Sequence, residues 1–137
     1  MNVKQEKVLV TGASGYIALH CIFNLLSKGY KVKGSLRNLN REDEVRRSLS
    51  TDFNNNDLEF CKLNLLEDEG WEEAASDCDY LFHIASPCCI EEPKNEEEII
   101  SPALEGTLRA LNAANKSKVK KVVLTSSIGA MAYGHNK

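Results

Sequence analysis

The chain has 137 residues, 42% hydrophobic and 27% charged, with a formal net charge of -3. This describes one ordinary globular domain, able to bury roughly two thirds of its unfolded surface. The charge balance makes no general electrostatic case for nucleic acid or an anionic membrane, and the first apolar run, Val8–Val10, is too short for a signal-peptide core or a membrane span.

Residues 7–12, KVLVTG, are a short β-branched run ending in glycine, which predicts a buried strand. Ala18, Ile22, Leu25 and Leu26 then recur at helical spacing, with Gly29 placed to cap the helix after Lys28. YKVKGSL (30–36) predicts a second strand, REDEVRRSLS (41–50) a charged helix and TDFNNND (51–57) a turn-rich link. LEFCKLNL (58–65) is a third strand, EDEGWEEAAS (67–76) a short helix in which Trp71 packs, and CDYLFHIAS (78–86) a fourth strand. The acidic stretch EEPKNEEE (91–98) reads as a solvated helix start. The helix itself runs through NEEEIISPALEGTLRALNAANKS (95–117). Its stripe of Ile100, Leu104, Leu108 and Leu111 is expected to face the core, and Pro102 to kink the first turns or mark the true start. VKKVVLTSS (119–127) is a fifth strand.

Strands alternating with helices at this spacing imply right-handed βαβ units. The expected fold is α/β, a Rossmann-type doubly wound parallel sheet with strand order 3-2-1-4-5, as one domain over residues 1–137 that ends after the fifth strand. Its ligand belongs beyond the strand C-termini, beside the first strand, where the order reverses. TGASGYIA (11–18) lies there. Gly12 suits the tight turn, Gly15 lets backbone approach a pyrophosphate, and Ala18 is the small residue that permits close helix–sheet packing. The helix start directs free N–H groups and positive dipole at phosphates. At the end of the second strand, GSLRN (34–38) carries no acid to hold a ribose diol. Arg37 suits a 2′-phosphate, Ser35 is a donor beside it, and Arg41 is a further candidate. NADPH is therefore favoured over NAD(H).

The five cysteines are odd in number and include no Cys-x-x-Cys pair, so no zinc or other metal site is indicated. Reduced thiols and a cytoplasmic location fit this pattern. The adjacent Cys88 and Cys89 read as small buried side chains.

VLVTGASGYIA, VKGSLRN, CDYLFHIASP, EGTLRAL and VKKVVLTSS occur in that order. Together they resemble the extended short-chain dehydrogenase/reductases of the NAD-dependent epimerase/dehydratase superfamily, in the dihydroflavonol reductase and cinnamoyl-CoA reductase-like branch. The resemblance implies that Gly12, Ser14, Gly15, Tyr16 and Ile17 line the pyrophosphate. It implies further that Arg37 binds the 2′-phosphate, Asn64 and Leu65 lie against the adenine, and Ala85 and Ser86 border the phosphate–ribose region. The family often has Asp where this chain has Asn64, so only the amide oxygen remains as acceptor. His83 reads as packing. Ser127 matches the catalytic serine that hydrogen-bonds a carbonyl or hydroxyl.

The family's chemistry is hydride transfer between a nicotinamide and a carbonyl or alcohol carbon of a small molecule, with a tyrosine as proton donor and a lysine beside it. Tyr133 and Lys137 have the four-residue spacing but stand too soon after Ser127, with Gly134 inside the supposed turn. They are read as a decoy. The chain is then expected to be the N-terminal, cofactor-binding portion of a reductase, inactive alone, with its fifth strand at a sheet edge open to self-association. The alternatives are a nucleotide-sugar epimerase or dehydratase and a non-catalytic dinucleotide-binding module.

Overall fold

Five parallel strands pair in the spatial order β3-β2-β1-β4-β5: β1 Lys7–Val10, β2 Lys31–Leu36, β3 Leu58–Lys62, β4 Tyr80–His83 and β5 Lys121–Leu124. The structure is a computed structural model and describes residues 5–49, 53–87 and 92–134. Val8 pairs with Val32 on one side and Tyr80 on the other, and Val10 with Gly34 and Phe82. The order therefore reverses at β1, where two neighbouring crossovers diverge, and the expected topology holds.

Period-two alternation sends β1 side chains to opposite faces. Val8 and Val10 join Val32, Ile22, Leu25 and Leu26 under α1 (Tyr16–Ser27) and α2 (Glu42–Leu49). Leu9 joins Leu81, Trp71, Ala110 and Ala113 under α3 (Trp71–Ala75) and α4 (Glu97–Lys116). Gly29, at φ +83°, ends α1 after Lys28 as its position suggests. Two 3-10 turns, at Leu39–Arg41 and Asn55–Asp57, and a one-turn helix α5 (Ile128–Ala132) are additions to the expected elements.

The expected core stripe of α4 is overturned. Ile100, Leu104, Leu108 and Leu111 are 47%, 57%, 50% and 40% exposed. The helix instead buries Gly106, Ala110, Ala113 and Ala114. Close approach explains this choice: a Cβ at Gly106 would stand 2.4 Å from Leu65 Cδ2, so only the small-residue face can sit at this distance. Pro102 lies inside α4, which begins at Glu97, so it does not mark the start.

α3 has only five residues and leaves part of the β2–β3 surface without apolar cover. Lys7 and Lys33 project there and pair with Glu59 and Asp77. Partial burial opposes ionisation of Asp77, but the two lysines outweigh it and hold its pKa at about 2. A cavity of about 530 Å³ beside this cluster is lined by Glu59, Cys61, Asn64 and Glu73 among others; it lies away from the glycine loop.

Candidate functional site

The loop between β1 and α1 sits at the reversal of strand order. Gly12 has φ +72°, and a Cβ there would meet the Ala85 backbone and side chain at 3.2 Å. Both facts favour glycine: the left-handed conformation is costly for other residues, and a side chain would press on the loop after β4. Gly15 is the N-cap of α1, and its N–H donates to Gly12 O at 2.9 Å. A Cβ at Gly15 would stand 3.2 Å from the same oxygen. No side chain caps α1, and its first turn carries no acid. The amides of Tyr16, Ile17 and Ala18 therefore open the helix without intrahelical partners. Tyr16 and Ile17 are 77% and 57% exposed; Ala18 is fully buried against the sheet.

A buried polar knot supports this loop from below. Thr11 Oγ1 accepts the N–H groups of Ile84 and Ala85, each at 3.0 Å. With both lone pairs used, its proton goes to His83 Nδ1 at 3.1 Å. His83 is 3% exposed, and burial lowers its pKa, so it is neutral with its remaining proton on Nε2. Its ring also lies 6.1 Å from Trp71. His83, the last residue of β4, packs as the sequence suggests, but it also orders two loops. Ile84 and Ala85 follow it, with Ser86 next to Ala85 on the same loop.

Ser35 lies under the loop, 4% exposed, and its Oγ accepts the Gly12 N–H at 3.1 Å. Its carbonyl accepts the Ala13 N–H at 2.9 Å. It shapes the glycine loop from beneath; its Oγ accepts there, and its hydroxyl proton is left to donate. Arg37 is exposed just beyond β2 and has no hydrogen-bond partner among the described residues. Arg41, at the end of the 3-10 turn, reaches back to the loop: its Nη1 donates to Ser14 Oγ at 3.0 Å.

Asn64 and Leu65 follow β3. Asn64 Oδ1 accepts the Leu66 N–H at 3.2 Å, and its Nδ2 donates to Glu67 at 2.8 Å. Leu65 packs against the α3–α4 core. Arg109 on α4 holds this segment, donating to Leu65 O at 2.7 Å and Asp68 at 2.5 Å. Sequence reading did not single out Thr11 or Arg109 as site residues. The EGTLRAL segment contains Arg109, but its partners lie 41 and 44 residues away.

Ser127 follows β5 and is the N-cap of α5, its Oγ accepting the Gly129 N–H at 3.1 Å. Tyr133 is 78% exposed with extended backbone, and Gly134 has φ +78°. A helix carrying Tyr133 onward is therefore broken at its first step; Lys137 lies outside the described residues, as do Cys88 and Cys89. The described thiols Cys21, Cys61 and Cys78 are free, and burial pushes Cys61 up to about 11 and Cys78 up to about 12. Neither of those two is a ready nucleophile. No helix among the described residues is long and apolar enough to cross a membrane.

Known proteins share this architecture and sequence. Residues 8–137 match the NAD dependent epimerase/dehydratase family. Cinnamoyl-CoA reductase CAD2 of Medicago truncatula is 43% identical over 92% of this chain and 39% of its own length. A bifunctional dihydroflavonol 4-reductase/flavanone 4-reductase of Malus domestica is 35% identical over 94% of this chain and 38% of its own. The yeast methylglyoxal/isovaleraldehyde reductase Gre2, solved with NADPH, superposes with a TM-score of 0.79 at 30% identity, over 90% of this chain and 38% of that one. The chain thus spans about two fifths of the length of these relatives. A glycine loop at the switch point of a 3-2-1-4-5 sheet, carried by a sequence that matches along nearly its whole length, settles the family: the chain belongs to the NAD dependent epimerase/dehydratase family.

Proposed function

We propose that the chain is the cofactor-binding part of an NADPH-dependent reductase acting on a small carbonyl or alcohol substrate. The observation that carries this is the uncapped, acid-free start of α1 directly after Gly12 and Gly15, a cradle shaped for phosphate oxygens. Gly12, Ser14, Gly15, Tyr16 and Ile17 would hold the pyrophosphate, with Ala85 and Ser86 as the opposite wall. Asn64 and Leu65 would flank the adenine, where the Asn64 amide oxygen can accept a second bond. The nicotinamide ring, when bound, supplies hydride chemistry. Ser127, at the C-terminal end of β5, would orient the substrate oxygen; its present bond from Gly129 leaves the hydroxyl proton available to donate.

The second strand ends in Ser35, Leu36 and Arg37, with no carboxylate to claim a ribose diol. An exposed guanidinium there favours a 2′-phosphate. The NADPH bound by the yeast Gre2 reductase and by Gre2 of Candida albicans supports that choice. Titration with NADPH and NADH, followed by fluorescence, is the test. Arg37→Ala should weaken NADPH by roughly 1.5–3 kcal/mol, a lost charged hydrogen bond, and leave NADH little changed. Equal loss for both removes the case for the phosphate.

Two further features belong to this reading. The free thiols support a reducing, cytoplasmic setting. The unpaired edge of β5 supports self-association of the isolated chain.

A further inference from the structure

The cation nearest the glycine loop is not free. Arg41 donates to Ser14 with Nη1, while its other edge is held by Glu44: Nε to Oε2 at 2.8 Å and Nη2 to Oε1 at 2.6 Å. Glu44 lies in the first turn of α2, where Glu42 and Asp43 add two more acids. The bidentate pair is about half exposed on both sides, so it is reachable by a ligand on the loop. The guanidinium thus bridges the glycine loop and the first turn of α2, on the chain that follows β2, with its charge offset by a carboxylate one hydrogen bond away.

We propose that Glu44 is a selectivity-determining positioning residue: it locks Arg41 onto Ser14 and holds down the preference for a 2′-phosphorylated dinucleotide. This rests on the 2′-phosphate site proposed above. Two effects act in the same direction. The carboxylate occupies the two guanidinium donors best arranged for a phosphate fork. Its own charge repels a dianion at a distance where only salt screens it. Arg37 then carries most of the attraction, and Arg41 contributes fully only when released.

The decisive comparison is Glu44→Gln against Glu44→Asp in the 137-residue chain, titrated with NADPH and NADH at low and high salt. Glu44→Gln removes the charge and one acceptor and should tighten NADPH about threefold to tenfold at low ionic strength, with NADH unchanged. The gain should shrink as salt rises. Glu44→Asp keeps the charge and should keep the wild-type ratio. The double change Arg41→Ala, Glu44→Gln should lose the gain. Weaker NADPH binding by Glu44→Gln, equal shifts for both nucleotides, or no shift would each overturn the proposal. Failure of the 2′-phosphate reading itself looks different: Arg37→Ala would then shift both nucleotides equally, whatever Glu44 does.

Discussion

Thr11 is the residue on which the loop geometry turns. One hydroxyl satisfies the Ile84 and Ala85 amides and His83 Nδ1, all buried or half-buried. Thr11→Val keeps the shape and removes all three bonds, stranding two N–H groups. Urea unfolding should show a loss of roughly 1–3 kcal/mol per stranded group, and Thr11→Ser should restore most of it. His83 gives this knot a pH signature. Its folded pKa lies below the unfolded value of about 6.5, so the unfolded chain binds the extra proton first. Stability is complete above that unfolded value and falls as pH drops through the folded pKa; unfolding midpoints between pH 7 and 5 should fall, and His83→Gln should flatten the part of the slope due to this group. The glycines were legible from sequence because the turn's demand is local. Thr11 was not, because its partners lie 72 to 74 residues away, and a threonine before a glycine also ends ordinary strands.

At the scale of the element, α4 shows what periodicity can and cannot decide. The sequence contains two apolar stripes on that helix, one large and one small. Spacing picked out the large stripe alone and did not say which face meets the sheet. The small stripe wins because Leu65 and the sheet come too close for anything larger than Gly106 and Ala110. Ala110→Leu should therefore cost about 1–3 kcal/mol by overpacking, whereas Leu108→Gln, on the half-exposed stripe, should stay within about 0.5 kcal/mol in this chain. Chemical denaturation of the two variants separates the faces directly. The strands were easier to read: short runs such as VLV, YLF and VVL between turn signals have few other places to go, and βαβ handedness then narrows their order.

The whole molecule presents more surface than its size requires. Its accessible area is 9564 Å², against about 7,100 Å² for a compact monomer of this mass. Part of the excess is apolar: Leu104, Leu108 and Leu111 on α4, Val123 and Leu124 on β5, and Ile128 and Met131 on α5 are all at least 40% exposed. Among the described residues β5 pairs only with β4, which leaves its other edge without a strand partner there. Sedimentation of the isolated chain should show concentration-dependent association, and Val123→Lys should reduce it by placing a charge on that edge; a sharp monomer at every concentration would count against the open edge as a contact. The open edge follows from the strand order read in the sequence, whereas the exposed leucines of α4 do not, since they depend on which helix face the sheet covers.

Calorimetric titration of the folded chain with NADPH, beside Gly12→Ala, tests the central claim most directly. Saturable binding by the native sequence, lost when a methyl group is forced against Ala85 in a variant that remains folded, is the result expected of phosphates seated on the amides that open α1. Undiminished binding by folded Gly12→Ala, or no heat from the native chain, would contradict it.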